Sequence, residues 1–209
     1  FPVFKGSAIK DEGVKELLEA IIEYLPSPLE RKAIEVKVPN SEETKTITPS
    51  DEGAFAGFVF KSMFDPHLGQ LSLVRVLRGK LNANSEFFNV TSSNKERIST
   101  ISMLQGKEQT SVSQASCGDI IALPKLKKTS VSDSITDASE KFILNPISFP
   151  EPSISASIKP KSRADEEKIS TSLHRLCEED HTFKMSRDNE TKELIISGIG
   201  DLHLKVMLD

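Results

Sequence analysis

The stretch AFAGFVFKSMFDPHLGQLSLVRVLR, residues 54–78, decides the fold. Ala54 to Phe64 is rich in β-prone residues, and the two-residue period of a strand puts Phe58 and Phe60 on one face. Asp65-Pro66-His67-Leu68-Gly69 then supplies a turn, because proline fixes φ and glycine accepts a left-handed conformation. Leu71 to Arg78 is the return strand, and Gly79 opens the next turn. The same texture runs outward from Leu29 to about Asn145. Phe87 to Thr91, Ile98 to Leu104 and Ile120 to Leu123 read as further short strands with no helix between them. Many short strands at close spacing predict a small antiparallel barrel.

On the N-terminal side, Phe1 to Phe4 reads as the end of a buried strand. Gly6-Ser7-Ala8 follows, then a polar stretch to Gly13. Val14, Leu17, Leu18, Ile21, Ile22 and Leu25 recur at helical spacing. Pro26 and Pro28 stop that helix. A strand feeding a helix through a small-residue turn predicts an α/β unit, the last of something larger. Residues 1–30 are net acidic and 31–149 are not, which supports a boundary between them.

On the C-terminal side, Thr129 to Ser139 reads as a Ser/Thr/Asp-rich surface loop or linker. Pro146, Pro150 and Pro152 mark a second boundary. Ile154 to Ile158 alternates as a strand, and Ser162-Arg163-Ala164-Asp165 reads as a capping box for a helix. The apolar stripe of that helix is Ile169, Leu173, Leu176 and Cys177. Thr182 to Met185 and Glu193 to Ile196 read as strands joined at Asp188-Asn189, and Leu202, Val206 and Met207 begin a second helix. The order β-α-β-β-α predicts a ferredoxin-like α+β domain without its final strand. The modules are thus 1–28, 29–148 and 149–209. The chain starts without Met and ends inside a helical pattern, so an internal fragment of a longer protein is expected.

Composition excludes several functions. The 209 residues hold 27 Lys and Arg against 31 Asp and Glu, a net charge of -4, so a generally polycationic nucleic-acid binder is excluded. Local basic groups remain at Lys125, Lys127 and Lys128, and at Lys159, Lys161 and Arg163. Two cysteines, Cys117 and Cys177, exclude a disulfide framework and point to a reducing compartment, with a cytoplasmic location expected. Leu17 to Leu25 is cut by Glu19 and Glu23, short of the roughly 20 apolar residues a bilayer needs, and no signal peptide is visible. No membrane partner is expected.

Catalytic and metal-binding patterns are also missing. There is no Gly-x-x-x-x-Gly-Lys-Ser/Thr loop to cradle phosphates. Asn94-Lys95-Glu96-Arg97 has Arg97 where a guanine-reading motif needs Asp, so it reads as a charged hairpin turn. His174 and Cys177 share a helix face, but two further ligands are lacking; they read as a solvated His beside a core-edge Cys. Glu178-Glu179-Asp180 reads as a solvated helix end, and His203 as a helix-surface or interdomain residue. Neither a catalytic residue nor a metal ligand is assigned.

Gly6-Ser7-Ala8-x-Lys10 with Gly13-Val14 resembles the fifth guanine-nucleotide motif of translational GTPases. The Leu25-Pro26-Ser27-Pro28 exit is typical of elongation factor G. Phe60-Lys61, Asp65-Pro66-x-x-Gly69-x-Leu71, Arg75-Val76 and Gly79 resemble that family's second domain, and Cys117-Gly118-Asp119-Ile120 matches a later barrel strand entry. Pro160-Lys161-x-x-x-Asp165 and Leu173-x-x-Leu176-x-Glu178-Glu179-Asp180 resemble its third domain. Ser197-Gly198-Ile199-Gly200-Asp201-Leu202-His203-Leu204 is similar to its Ser-Gly-Met-Gly-Glu-Leu-His-Leu signature, with Ile199 for Met and Asp201 for Glu. Gly106-Lys107-Glu108-Gln109 resembles a divergent elongation-factor-G-like branch more than the housekeeping factor.

The resemblance implies a mixed fold: the end of a P-loop GTPase domain (1–28), a translation-factor β-barrel (29–148) and a partial ferredoxin-like domain (149–209). It implies a ribosome-dependent GTPase that couples GTP hydrolysis to tRNA–mRNA translocation, with GTP and Mg²⁺ bound by the full-length parent and neither expected in this stretch. It places Ser7 and Ala8 against the guanine and assigns nothing catalytic. The ribosome, its RNA and its proteins are the expected partners, with tRNA and mRNA contacted indirectly, and a monomer is expected. The alternatives are a non-enzymatic RNA-binding β-barrel protein, and a related ribosomal-protection or release-factor-like GTPase.

Overall fold

The computed structural model describes the chain at every position except 67, 107, 161 and 209, and side chains at all described positions except 163–167. Helix α1 (Val14–Tyr24) comes first, followed by a 3₁₀ turn at Pro28–Glu30. Fifteen strands and two helices follow: β1 (Ile34–Lys37), β2 (Thr44–Ile47), β3 (Ala56–Asp65), β4 (Gly69–Arg78), β5 (Leu81–Asn82), β6 (Glu86–Asn89), β7 (Asn94–Arg97), β8 (Ile101–Gln105), β9 (Glu108–Val112), β10 (Gln114–Ala115), β11 (Ile120–Pro124), β12 (Ser134–Thr136), β13 (Ile154–Ile158), α2 (Arg163–Glu179), β14 (Lys184–Arg187), β15 (Leu194–Gly198) and α3 (Asp201–Leu208).

The hairpin of residues 54–78 is the spine. β3 and β4 pair antiparallel from Ala56↔Arg78 to Asp65↔Gly69, with register shifts after Ala56 and after Val59. Asp65 Oδ1 accepts the Leu68 N–H at 2.8 Å, closing the turn. The main sheet runs β7-β6-β12-β3-β4-β11-β8-β9, every pair antiparallel. It curls round a single core in which Val59, Val74 and Val76 meet Phe87, Ile98, Ile101, Ile121, Leu123 and Ile135. Val59, not Phe58 or Phe60, faces that core. Phe58 lies against a second cluster of Val36, Ile47, Ala56, Phe142 and Leu144, where the β1–β2 hairpin covers the outside of the sheet.

The last module has the expected β-α-β-β-α order. Its sheet runs β13-β15-β14, with Ile154↔Gly198 and Lys184↔Ser197 in register. Leu173, Phe183, Ile196 and Leu204 form its core, with Ile169, Leu176 and Cys177 against them. The turn at 188 is held by Asp188 Oδ1, which accepts the Glu190 and Thr191 N–H groups at 2.9 and 2.7 Å. Ser162 stands at the N-cap of α2, while the Asp165 side chain of the predicted capping box lies outside the described residues.

Four expectations need correction. Phe1 to Phe4 forms no strand and is exposed, because no strand among the described residues offers it a ladder. The apolar stripe of α1 also faces solvent, and only Ala20 is buried on that helix. Thr129 to Ser139 is no surface linker: it carries β12, fully buried between β3 and β6. Asn94 to Arg97 is the edge strand β7 paired with β6, so the turn lies just before it. In α3, Leu204 is buried, whereas Leu202 and Val206, one turn apart, point outward.

Candidate functional site

The loop before α1 folds back on itself. The Ser7 N–H donates to the Glu12 carbonyl at 2.9 Å, and the Lys10 and Glu12 N–H groups donate to the Ser7 carbonyl at 3.2 and 3.1 Å. Ser7 is half-buried and Ala8 exposed. The Ala8 carbonyl accepts the Asp11 N–H at 3.4 Å, while the Ala8 N–H has no intrachain partner among the described residues. The loop therefore presents the neutral Ala8 donor, next to the Ile9 N–H that is likewise without a partner among the described residues, and such a donor suits a carbonyl acceptor. One or two such N–H groups do not cradle a phosphate, which needs several converging donors.

The exit from α1 is pinned to the barrel. A Cβ on Gly118 would fall within 2.5 Å of the Pro28 Cβ, and Gly118 has φ +96°, so only glycine fits. The flanking turn is held by carboxylates: Asp119 Oδ2 accepts the Ser116 N–H at 2.7 Å, and Asp51 Oδ1 the Cys117 N–H at 3.1 Å. Burial pushes the Cys117 thiol up.

The closing segment, Ser197 to Leu204, is used for packing. The Ser197 and Ser155 hydroxyls lie 2.8 Å apart across β13–β15. A Cβ on Gly198 would lie 2.7 Å from His203 Nδ1 and 2.8 Å from Leu204 Cδ2, so its missing side chain lets α3 close on β15. The Ile199 N–H donates to His203 Nδ1 at 3.1 Å, and His203 Nε2 stands 3.0 Å from Asp180 Oδ2. An Nδ1 that accepts carries no proton, so Nε2–H is the donor to Asp180. Phe183 meets the His203 ring edge-on, with centroids 6.2 Å apart. His203 is thus an internal pin and not a surface residue. Burial disfavours the Asp180 anion, but hydrogen bonds from Thr182 and His203 outweigh it and hold the carboxyl below its usual range.

Glu178-Glu179-Asp180 is likewise more than a solvated helix end. Glu179 Oε1 accepts the Phe64 N–H, tying α2 to the barrel hairpin. Arg175 lies over the Phe64 ring, 4.3 Å from its centroid. Phe149 and His181 stack beside this junction at 5.0 Å.

Other candidates do not converge. His174 is exposed on α2, and burial pushes the Cys177 thiol up. Among the described residues no three His, Cys, Asp or Glu side chains are placed to hold a metal ion, and no helix is long and apolar enough to cross a membrane. Lys159 pairs with Glu193 at 2.7 Å, and the Glu193 carboxylate raises its pKa. Its sequence companions Lys161 and the Arg163 side chain lie outside the described residues, as does Lys107 of the 106–109 segment.

Two family models match the chain in consecutive order. Residues 54–138 match elongation factor G domain 2, and residues 149–209 match elongation factor G domain III. The chain belongs to the elongation factor G family. A solved crystal structure from Thermus thermophilus is similar over 93% of this chain, at 28% identity and a TM-score of 0.73. The chain spans 27% of that protein's length.

As an elongation factor G member, the chain contains a junction that its sequence does not disclose. Glu179 and Phe64 are 115 positions apart, and their bond uses a backbone N–H, which carries no residue-type signal. The Asp180–His203 pair leaves a fainter trace, because each residue sits inside a motif of the family, though the two motifs are separate in sequence.

Proposed function

We propose that this chain is part of a ribosome-dependent translational GTPase that moves tRNA and mRNA, and that it relays motion without a reactive centre of its own. The observation carrying this reading is the use of the Ser197–Leu204 signature. Its Ser197 hydroxyl bonds Ser155 across β13–β15, and its His203 ring ties α3 to the Ile199 N–H and to Asp180, so these polar groups serve packing. Residues 1–28, with α1 formed and Phe1 to Phe4 not in a strand here, are read as the C-terminal end of the nucleotide domain. The solvent-facing stripe of α1 fits a helix meant to pack against more of that domain.

The donor set fits only the base end of the nucleotide. The Ala8 N–H would donate to the guanine carbonyl, with Ser7 shaping the loop. The sequence holds no phosphate-cradling loop, so hydrolysis with Mg²⁺ is assigned to the parent and no step is routed through this stretch. Order–disorder changes set by the γ-phosphate would reorient the barrel and third domain, which the Glu179–Phe64 bond joins.

GTP turnover by the full-length parent, with and without ribosomes, tests this. Stimulation by ribosomes is expected, with no turnover by residues 1–209 alone. Clear turnover by the 209-residue chain would overturn the relay reading.

A further inference from the structure

The last turn of α2 is held from two sides. Glu179 Oε1 accepts the Phe64 N–H, and Arg175, one turn earlier, lies 4.3 Å from the centroid of the Phe64 ring. One barrel residue is thus gripped by its backbone and by its ring. The grip is possible because that side of β3 is bare. β12 pairs with β3 only from Ala56 to Phe58. Gln70, opposite Phe64, turns its carbonyl to the Lys125 N–H at 3.0 Å. Both residues of such an antiparallel pair point outward, so the Phe64 N–H faces away from β4. A carboxylate takes the edge where a further strand would pair.

The next residue works in the other direction. The Asp180 N–H donates to the Leu176 carbonyl at 2.8 Å and closes the helix, while Asp180 Oδ2 stands 3.0 Å from His203 Nε2. Consecutive carboxylates therefore tie one helical turn to the barrel and to the closing signature. His181 follows, stacked on Phe149 of the connecting segment. The junction is separable. Among the described residues no buried apolar cluster spans the two modules: the barrel clusters draw on residues 34–144 and the third module's cluster on 154–207. Arg175 and Glu179 are exposed, and a cleft of about 150 Å³ lies between the modules, lined by Ser62, Gln70, Ser130, Glu178 and His181.

We propose that the last turn of α2 is a two-sided conformational joint: Arg175 and Glu179 latch it releasably to Phe64, and freeing that latch loosens the Asp180–His203 pin. The inference rests on the relay reading above and names the residues through which barrel and third module pass a change. Its physical basis is fraying at a helix end. With Glu179 bonded, the turn is closed and Asp180 faces His203. With Glu179 free, the Asp180–Leu176 bond opens more often and Asp180 leaves His203. Thr182, which donates to Asp180 Oδ1 from its N–H and its hydroxyl, belongs to the same segment and moves with it. Both bonds bias one equilibrium, so the coupling is reciprocal: loss of the His203 bond also loosens the grip on Phe64.

The test is residue-resolved amide hydrogen exchange on the 209-residue chain and its Glu179→Ala, Glu179→Gln, Arg175→Ala, His203→Ala and Asp180→Asn variants. The Val76 N–H, bonded to the Asp119 carbonyl at 2.9 Å, and the Ile196 N–H in the central strand β15 are the controls for unfolding. In Glu179→Ala the Phe64 amide is expected to exchange about tenfold faster, with the controls unchanged. The Ile199 amide, bonded to His203, is expected to exchange about two- to fivefold faster in the same variant. Glu179→Gln keeps an acceptor at the same reach and shows smaller changes. Arg175→Ala speeds the Phe64 amide about two- to fivefold through loss of the ring contact. His203→Ala and the milder Asp180→Asn speed the Phe64 amide by about two- to fivefold as well. An unchanged Phe64 amide in Glu179→Ala overturns the latch. An Ile199 amide unmoved in Glu179→Ala, or a Phe64 amide unmoved in both pin variants, overturns the coupling. Either result leaves the relay reading standing, since that fails instead on GTP turnover by the 209-residue chain.

Discussion

His203 Nε2 lies 3.0 Å from Asp180 Oδ2, and this pair joins the start of α3 to the end of α2. The same ring accepts the Ile199 N–H, so one side chain ties three segments. His203→Ala removes both bonds and the edge-on contact with Phe183. A loss of about 1–3 kcal/mol is expected from urea unfolding. In a double-mutant cycle with Asp180→Ala, a coupling of about 0.5 kcal/mol or more is expected. Strict additivity would mean the pair contributes nothing.

Acid should weaken the fold through its bonded carboxylates. Asp137 is opposed by burial, but it accepts the Ser139 hydroxyl and the Ser139 and Phe55 N–H groups, which hold it below the usual range, as Asp180 is held. A carboxyl lowered in the folded state stabilises above its unfolded value, near 4, and loses that contribution as pH falls through the folded value. Urea midpoints should therefore drop below about pH 4. Asp137→Asn should be less stable at pH 7 and lose less between pH 7 and pH 3. An unchanged pH dependence in that variant would remove Asp137 from the account.

The contact between Pro28 and Gly118 predicts an asymmetric rescue. Gly118→Ala meets both the Pro28 ring and a left-handed backbone, so a cost of about 1–3 kcal/mol is expected. Adding Pro28→Gly removes both obstructing carbons, Cβ and Cγ, but leaves the backbone cost. Partial recovery of the urea midpoint is the expected result. Full recovery would show that φ at position 118 costs nothing.

What the sequence discloses follows from where its signals reside. The 54–78 hairpin and the β-α-β-β-α module are legible because their period is written in apolar side chains and their turns in Asp, Pro and Gly. The direction of each face is less so. In β3 the register shift after Val59 breaks simple alternation, and in α3 apolar residues occupy both faces. At the candidate site, the small residues around Ser7 and Ala8 signal a turn. The Glu179–Phe64 and Asp180–His203 bonds, 115 and 23 positions apart, depend on tertiary placement.

β12 gives the clearest case of polar sequence in a buried strand, and it yields a test. Ser134 and Thr136 resemble linker residues, yet both are fully buried. They are tolerated because their hydroxyls are satisfied: Ser134 Oγ accepts the Leu144 N–H at 2.8 Å, and Thr136 Oγ1 donates to the Asp137 carbonyl at 2.8 Å. Burying a hydroxyl without a partner is costly, whereas a bonded one is nearly neutral. Ser134→Ala keeps the volume close but leaves the Leu144 N–H unpaired in a buried setting. A loss of about 1–3 kcal/mol is expected, with amide exchange at Leu144 accelerated. Ile135→Ala, between them, should cost about 2–5 kcal/mol through a core cavity, without singling out Leu144. If Ser134→Ala proves neutral and Leu144 stays protected, that hydroxyl is not what admits this polar segment to the core.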